Sequence, residues 1–398
     1  MTRFAAYALL PLCAAIATAC SASTAPAQDQ AAAKAAEKPF VETVMADFES
    51  PWAIAFLPDG RLLVTEKAGK LLLVSADAKQ IATIATIPGV DSAGQGGLMD
   101  VVLSPGFAKD GLIYFSFSEN GPGGKGVALA RGHLVDSVAA DCMTENGADC
   151  SKPGGLRLDF FTVIFRASPA VEGNGHYSGR IAFSPDGKYL FFTNGERQKF
   201  DPAQDLTMTL GKVLRLTPDG KPAPGNPFAG QAGARPEIWS YGHRNLLGIA
   251  FDAQGNLWEQ EMGPKGGDEV NLILPGRNYG YPKASNGSHY DDRDIPDHAP
   301  GDGFEAPKVW WNPSISPGGL MIYSGDMFPA WKGDAFIGGL SSMALLRIDL
   351  DGTNAKKGDQ WPMGARIREA AQGPDGAIWV IEDGTRGGGG RLIKLTPR

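Results

Sequence analysis

Ile181-Ala-Phe-Ser-Pro-Asp-Gly-Lys-Tyr-Leu-Phe-Phe192 is an apolar run, a Pro-Asp-Gly reversal and a second apolar run. Gly after Asp tolerates the positive φ of a tight turn, so the stretch reads as one β-hairpin. The pattern returns at Ala53–Val64, Ile249–Trp258 and Ala371–Val380, and more loosely at Val101–Phe117 and Met321–Ile337. A lone hairpin is barely stable in water. Six copies spaced along one chain can bury each other's faces as the blades of a ring. The expected fold class is therefore all-β, a six-bladed β-propeller, with a β-sandwich array as the rival. Lys70–Val74, Lys212–Leu216 and Arg391–Leu395 read as outer strands of these blades. Phe40–Phe48 is expected to pair with the strand ending near Leu395 and so remove the open edge of the ring.

The composition agrees with many turns. The chain of 398 residues has 53 glycines and 29 prolines, about a fifth of the total and scattered singly, against about 12% in average proteins. The net charge is −7 and lysine and arginine do not cluster. No nucleic-acid partner is expected, because neutralising phosphates needs a basic face.

The N-terminus differs from the rest. Arg3 gives a positive start, Phe4 to Ala19 is apolar and uncharged, and small residues follow. This pattern predicts a secretory signal over 1–27, a flexible leader over 28–38 and the propeller over 39–398. Two processing routes are open. Ala17-Thr18-Ala19-Cys20 resembles a lipoprotein box, which would attach the chain to a membrane through a lipidated Cys20; Ala25-Pro26-Ala27 fits an ordinary cleavage site. Either way the expected location is the periplasm or outside the cell. Cys142 and Cys150 flank a polar segment and are expected to form a local disulfide there.

Several residues could carry chemistry. His176 sits in Gly173-Asn-Gly-His-Tyr-Ser-Gly-Arg180, just before a strand of the quoted hairpin, and Glu196 follows its partner strand. Hairpin ends lie close together, so the carboxylate can orient the imidazole. By itself the pair reads better as a hydrogen-bonded loop histidine. Arg244 and Asn245 stand at a strand entry in Tyr241-Gly-His-Arg-Asn245. Arg366 and Arg368 alternate along one strand, which places both guanidiniums on one face; the pair either awaits an anion or lies on a solvated strand face. Gly263-Pro264 opens an irregular Gly-rich loop beside Asp268 and Glu269, where backbone carbonyls suit a hard cation such as calcium, although Gly/Asp-rich turns usually bind nothing. Gly121-Pro-Gly-Gly-Lys-Gly126 has the letters of a dinucleotide motif, but a proline interrupts it and no helix follows.

Taken in order, Gly94-Gln-Gly-Gly-Leu-Met-Asp100, Gly173–Arg180, Glu237–Asn245, Gly263–Asn271, Asn278-Tyr-Gly-Tyr281 and Arg366-Ile-Arg368 resemble the soluble aldose sugar dehydrogenases of the glucose/sorbosone dehydrogenase family. That resemblance runs from about Pro51 to Leu395. It implies pyrroloquinoline quinone (PQQ) and calcium as cofactors, an aldose sugar as substrate and a separate electron acceptor. It implies His176 as the base, Glu196 as its acidic partner and Arg244 as the arginine beside the quinone carbonyls. Gln95, His176, Arg244, Asn245, Arg366 and Arg368 are then cofactor contacts, and the carbonyls of Gly263 and Pro264 are calcium ligands. Two positions depart from the pattern. Leu246-Leu247 stands where Pro-Gln is common, and Gly338–Met343 lacks a lysine that contacts the cofactor in some members. The alternative function is a calcium-dependent propeller lactonase, which would need Asp, Glu and Asn side chains around a central ion and no arginine pair.

Overall fold

The quoted hairpin forms as read. Ser178–Phe183 pairs antiparallel with Leu190–Asn194, with Ile181 opposite Phe192. Its turn is closed by Gly187 N–H donating to the Ser184 carbonyl at 2.8 Å, and the Asp186 carboxylate accepts from Ser184 Oγ at 2.7 Å. The computed structural model describes residues 1, 37–136, 155–384 and 390–398. The expected signal segment with Cys20, and both Cys142 and Cys150, lie outside the described residues.

Six four-stranded antiparallel sheets are present, and all belong to the unit Ala35–Arg398. The first blade is Pro51–Phe56, Leu62–Glu66, Lys70–Val74 and Ile81–Thr86. The second is Leu98–Leu103, Leu112–Gly121, Gly124–Asp136 and Leu156–Arg166. The third adds Lys212–Leu216 and Ile238–Tyr241 to the quoted hairpin. The fourth is Leu246–Phe251, Leu257–Glu261, Asp268–Leu272 and Val309–Trp311. The fifth is Pro317–Ile322, Ala335–Gly339, Ala344–Asp351 and Asn354–Pro362. The sixth joins Ile367–Gln372, Ile378–Glu382 and Gly390–Pro397 to Phe40–Phe48 from the other end of the chain. Phe40 lies opposite Pro397, so the ring closes as expected.

The expected outer strands Lys70–Val74, Lys212–Leu216 and Arg391–Leu395 are third in their sheets, and a fourth strand lies outside each. Those fourth strands carry weaker apolar patterns because one edge faces solvent. Several second strands are buried along their whole length, as at Leu62–Glu66, Leu190–Asn194 and Ile378–Glu382. Neighbouring blades cover both faces of each sheet, so alternation is lost. The Gly121–Gly126 decoy is the bend of a hairpin, with Gly121 opposite Gly124.

The first strand of each blade touches the first strand of the next, and the sixth returns to the first. Arg180 is the hub of that ring. Its Nε donates to the Leu247 carbonyl at 2.8 Å, and Nη1 reaches Asp100 at 3.2 Å and Glu369 at 2.9 Å. The guanidinium lies 4.0 Å over the Trp52 ring, and Nη2 would sit 3.0 Å from a Cβ added at Gly319. One side chain thus meets the inner strands of all the other blades. Burial pushes the Glu369 carboxyl up to about 7 against the pull of Arg180, and burial also raises Asp100.

Candidate active site

The axial end of the quoted hairpin brings His176 and Glu196 together. Glu196 accepts a very short hydrogen bond from His176 Nδ1, and both side chains are buried. The other carboxylate oxygen of Glu196 accepts the backbone N–H groups of Lys199 at 2.5 Å and Phe200 at 2.7 Å. Gly195 makes the approach possible, since a Cβ there would lie 2.2 Å from the His176 carbonyl. Burial pushes the imidazole below its usual value, the Glu196 hydrogen bond opposes that, and Arg244 adds to the depression. Burial would raise Glu196, but the bond and charge of His176 outweigh it and hold the carboxylate below its usual value. The pair is therefore a neutral imidazole against a carboxylate, with Nε2 left to act as a base.

The His176 loop is held by Gln95 and Arg197. Its backbone N–H donates to Gln95 Oε1 at 2.7 Å. Arg197 donates to the carbonyls of Gly175 at 2.9 Å and Gly173 at 2.6 Å, and stacks 3.8 Å from the Tyr177 ring. Nothing in the local pattern singled out Arg197; its role depends on where the loop returns.

Arg244 is also buried. Its Nη1 donates to the carbonyls of Met262 at 2.9 Å and Gly263 at 2.5 Å, Nη2 reaches Tyr290 Oη at 3.3 Å, and Nε is buried without a partner. Asn245 accepts from Ser178 Oγ at 3.3 Å. The Gly263-Pro264 turn is fixed by Asp268, which takes the Gly263 N–H at 2.9 Å. The other Asp268 oxygen accepts Ser314 Oγ and the N–H groups of Ile315 and Ser316. Asp268 is thus spent on holding two loops, while Gly263 and Pro264 keep the carbonyl donors.

Two adjoining cavities meet here. The smaller, about 200 Å³, is lined by His176, Glu196, Phe200, Arg244, Pro264 and Tyr281 among others. The larger, about 580 Å³, takes residues from the inner strands or their entries in all six blades: Trp52, Met99, Ser178, Leu247, Ser316 and Arg368. It therefore sits on the propeller axis. Gln95, Asn245 and Arg366 line it too. Tyr290, 71% exposed, borders both cavities from the long segment after Arg277. That segment ends as the outermost strand of the fourth blade, Val309–Trp311.

Arg366 and Arg368 do share a face, and part of their charge is met internally. Asp383 Oδ2 lies 3.0 Å from Arg366 Nε and 3.1 Å from Arg368 Nη2, while Arg368 Nε is buried without a partner. The sequence reading missed Asp383 and Lys67, which both line the larger cavity. Each directly follows the second strand of its blade, one residue nearer the strand than Glu196 stands in the third blade. The hairpin-end argument applied to Glu196 would have found them. Together the charged lining residues are Lys67, Arg366, Arg368 and Asp383, an excess of positive charge. A buried cluster of His243, Glu259 and Glu261 lines neither cavity; Glu261 accepts the Arg244 backbone N–H at 2.5 Å.

A ring of six blades sets a buried histidine–carboxylate pair beside a cationic axial cavity. The sequence profile described as glucose/sorbosone dehydrogenase matches residues 48–394, and the chain belongs to that family. It is 38% identical to aldose sugar dehydrogenase YliI of Escherichia coli over 367 residues, 90% of this chain and 93% of that one. The crystal structure of the E. coli soluble aldose sugar dehydrogenase in its apo-form superposes with a TM-score of 0.81, at 36% identity over 90% of this chain and all of the other. The PQQ-bound aldose sugar dehydrogenase of Streptomyces coelicolor gives a TM-score of 0.71, at 31% identity over 92% of this chain and all of that one.

Proposed function

We propose that this protein is a PQQ-dependent aldose dehydrogenase that oxidises the sugar at C1 to the lactone. The observation that carries the reading is the His176–Glu196 pair opening onto a small cavity beside a large one lined by three cations and one carboxylate. A tricarboxylate cofactor fits that larger cavity. The unpartnered, buried Nε atoms of Arg368 and Arg244 are donors that await an acceptor, and leaving them unmet is costly. The relatives that bind PQQ or act on aldoses support the same assignment.

In this reading the sugar occupies the smaller cavity. His176 Nε2 takes the proton of the anomeric hydroxyl, and Glu196 stabilises the imidazolium that forms. The C1–H leaves as hydride, and the C1–O bond becomes the lactone carbonyl. Bound PQQ, polarised by calcium, supplies the two-electron acceptor. Arg366 and Arg368 hold its carboxylates, Gln95 and Asn245 complete its contacts, and Arg244 sets a fixed positive charge where negative charge develops. The carbonyls of Gly263 and Pro264 are the hard donors for calcium; Gly263's oxygen must then be shared with the Arg244 guanidinium bonded to it. A lactonase would want carboxylates lining that cavity, and its charged lining is three cations to one carboxylate.

The reading also places the protein outside the cytoplasm, soluble or held through a lipidated Cys20, passing electrons to an acceptor not yet identified. The test is to add PQQ and calcium to the purified protein and follow aldose-dependent dye reduction. No reduction with any aldose would reject it.

A further inference from the structure

The family's cofactor lysine has no counterpart at Gly338–Met343, and Ser341, which lines the larger cavity, carries a hydroxyl there instead. The cavity nevertheless holds an ammonium from a different blade. Lys67 follows the second strand of the first blade, and its backbone is clamped on both sides. Its N–H donates to the Ser50 carbonyl at 3.1 Å, and its own carbonyl accepts from Leu98 N–H at 3.1 Å. Gly97 lets the second blade come this close, since a Cβ there would lie 2.6 Å from the Lys67 carbonyl oxygen. The ammonium has three donors, and the Gly94 carbonyl takes one at 2.8 Å. Gly94 precedes Gln95, whose N–H donates to Asn174 and whose side chain holds the His176 N–H. Lys67 thus abuts the loop that fixes the base, and it shares a wall with Arg366, Arg368 and Asp383.

We propose that Lys67 is a cofactor-binding residue of this protein, giving from the first blade the ammonium contact to an anionic group of the quinone that Ser341 cannot give from the fifth. The inference rests on the quinoprotein reading above. Partial burial and the neighbouring Arg368 hold the Lys67 ammonium below its usual value, against the opposing pull of the Asp383 carboxylate.

The test is an equilibrium titration of the full chain with PQQ in excess calcium, read by quenching of tryptophan emission, since Trp52 lines the cavity. Lys67→Met should weaken PQQ binding about 10–100-fold, the worth of a charge-assisted hydrogen bond. Lys67→Arg should stay within about three-fold of wild type. Acetic anhydride footprinting of the wild-type protein gives an answer that does not depend on a variant folding. Saturating PQQ should protect Lys67 and leave the exposed Lys79 unprotected. Equal affinity in Lys67→Met, equal losses in both variants, or unprotected Lys67 would each overturn the inference alone. A wild-type protein that binds no PQQ would remove the quinoprotein reading and this inference with it.

Discussion

Replacing Glu196 with Gln tests the base more sharply than removing the imidazole. The carboxylate holds His176 Nδ1–H with one oxygen and two backbone N–H groups, of Lys199 and Phe200, with the other. A glutamine has one oxygen and one NH2 to put in those places. Setting NH2 against the two backbone donors leaves both unmet inside the protein, at about 1–3 kcal/mol each. Setting it against the imidazole leaves one mismatch, which the ring relieves by moving its proton to Nε2. The second arrangement wins, because it leaves neither backbone donor unmet. It points a proton at the sugar where a lone pair is needed, so the reductive step should fall about 10²–10⁴-fold, the worth of a positioned base. The pH profile gives an independent sign. His176 must be neutral to act, and its imidazole already lies below its usual value. The Glu196 carboxylate is what holds it up against burial, so the acid limb of the Glu196→Gln variant should move to still lower pH. Stopped-flow absorbance of the bound quinone after mixing with an aldose, across a pH series, measures both. PQQ affinity should not change, because Glu196 does not line the larger cavity. A reductive rate within three-fold of wild type, or an acid limb that moves upward, would refute the reasoning.

Three further outcomes are expected. Arg366→Ala and Arg368→Ala should each weaken PQQ binding by about 1.5–3 kcal/mol in equilibrium titration; unchanged affinity in both would assign the pair to Asp383 alone. Arg180→Met strands two buried carboxyl groups at the axis, a loss of about 3–5 kcal/mol. A propeller of roughly 350 residues unfolds with about 0.7 kcal/mol/K, so Tm should drop about 4–7 °C by calorimetry, and a drop under 1 °C would deny Arg180 its role as hub. Protein isolated from its native compartment should show Cys142 linked to Cys150 by mass spectrometry without reduction, and two free thiols would count against both export and the disulfide.

The sequence by itself determined what local register controls. A Pro-Asp-Gly reversal between apolar runs forms a hairpin wherever it occurs, and the ring follows because no single hairpin can bury its faces. Register also explains why His176 and Glu196 were legible as a pair: Ser178 lies opposite Asn194, so the residues just beyond must meet. Asp383 was legible by the same rule, since Ile367 lies opposite Glu382. What the blades do to one another was not. The reach of Arg180 into five other inner strands, the ends of the first and sixth blades converging as Lys67, Arg368 and Asp383, and Tyr290 dividing the two cavities all join residues far apart in the chain. No spacing in the sequence encodes such meetings. They arise only when six sheets close around one axis and their inner ends are forced into the same small volume.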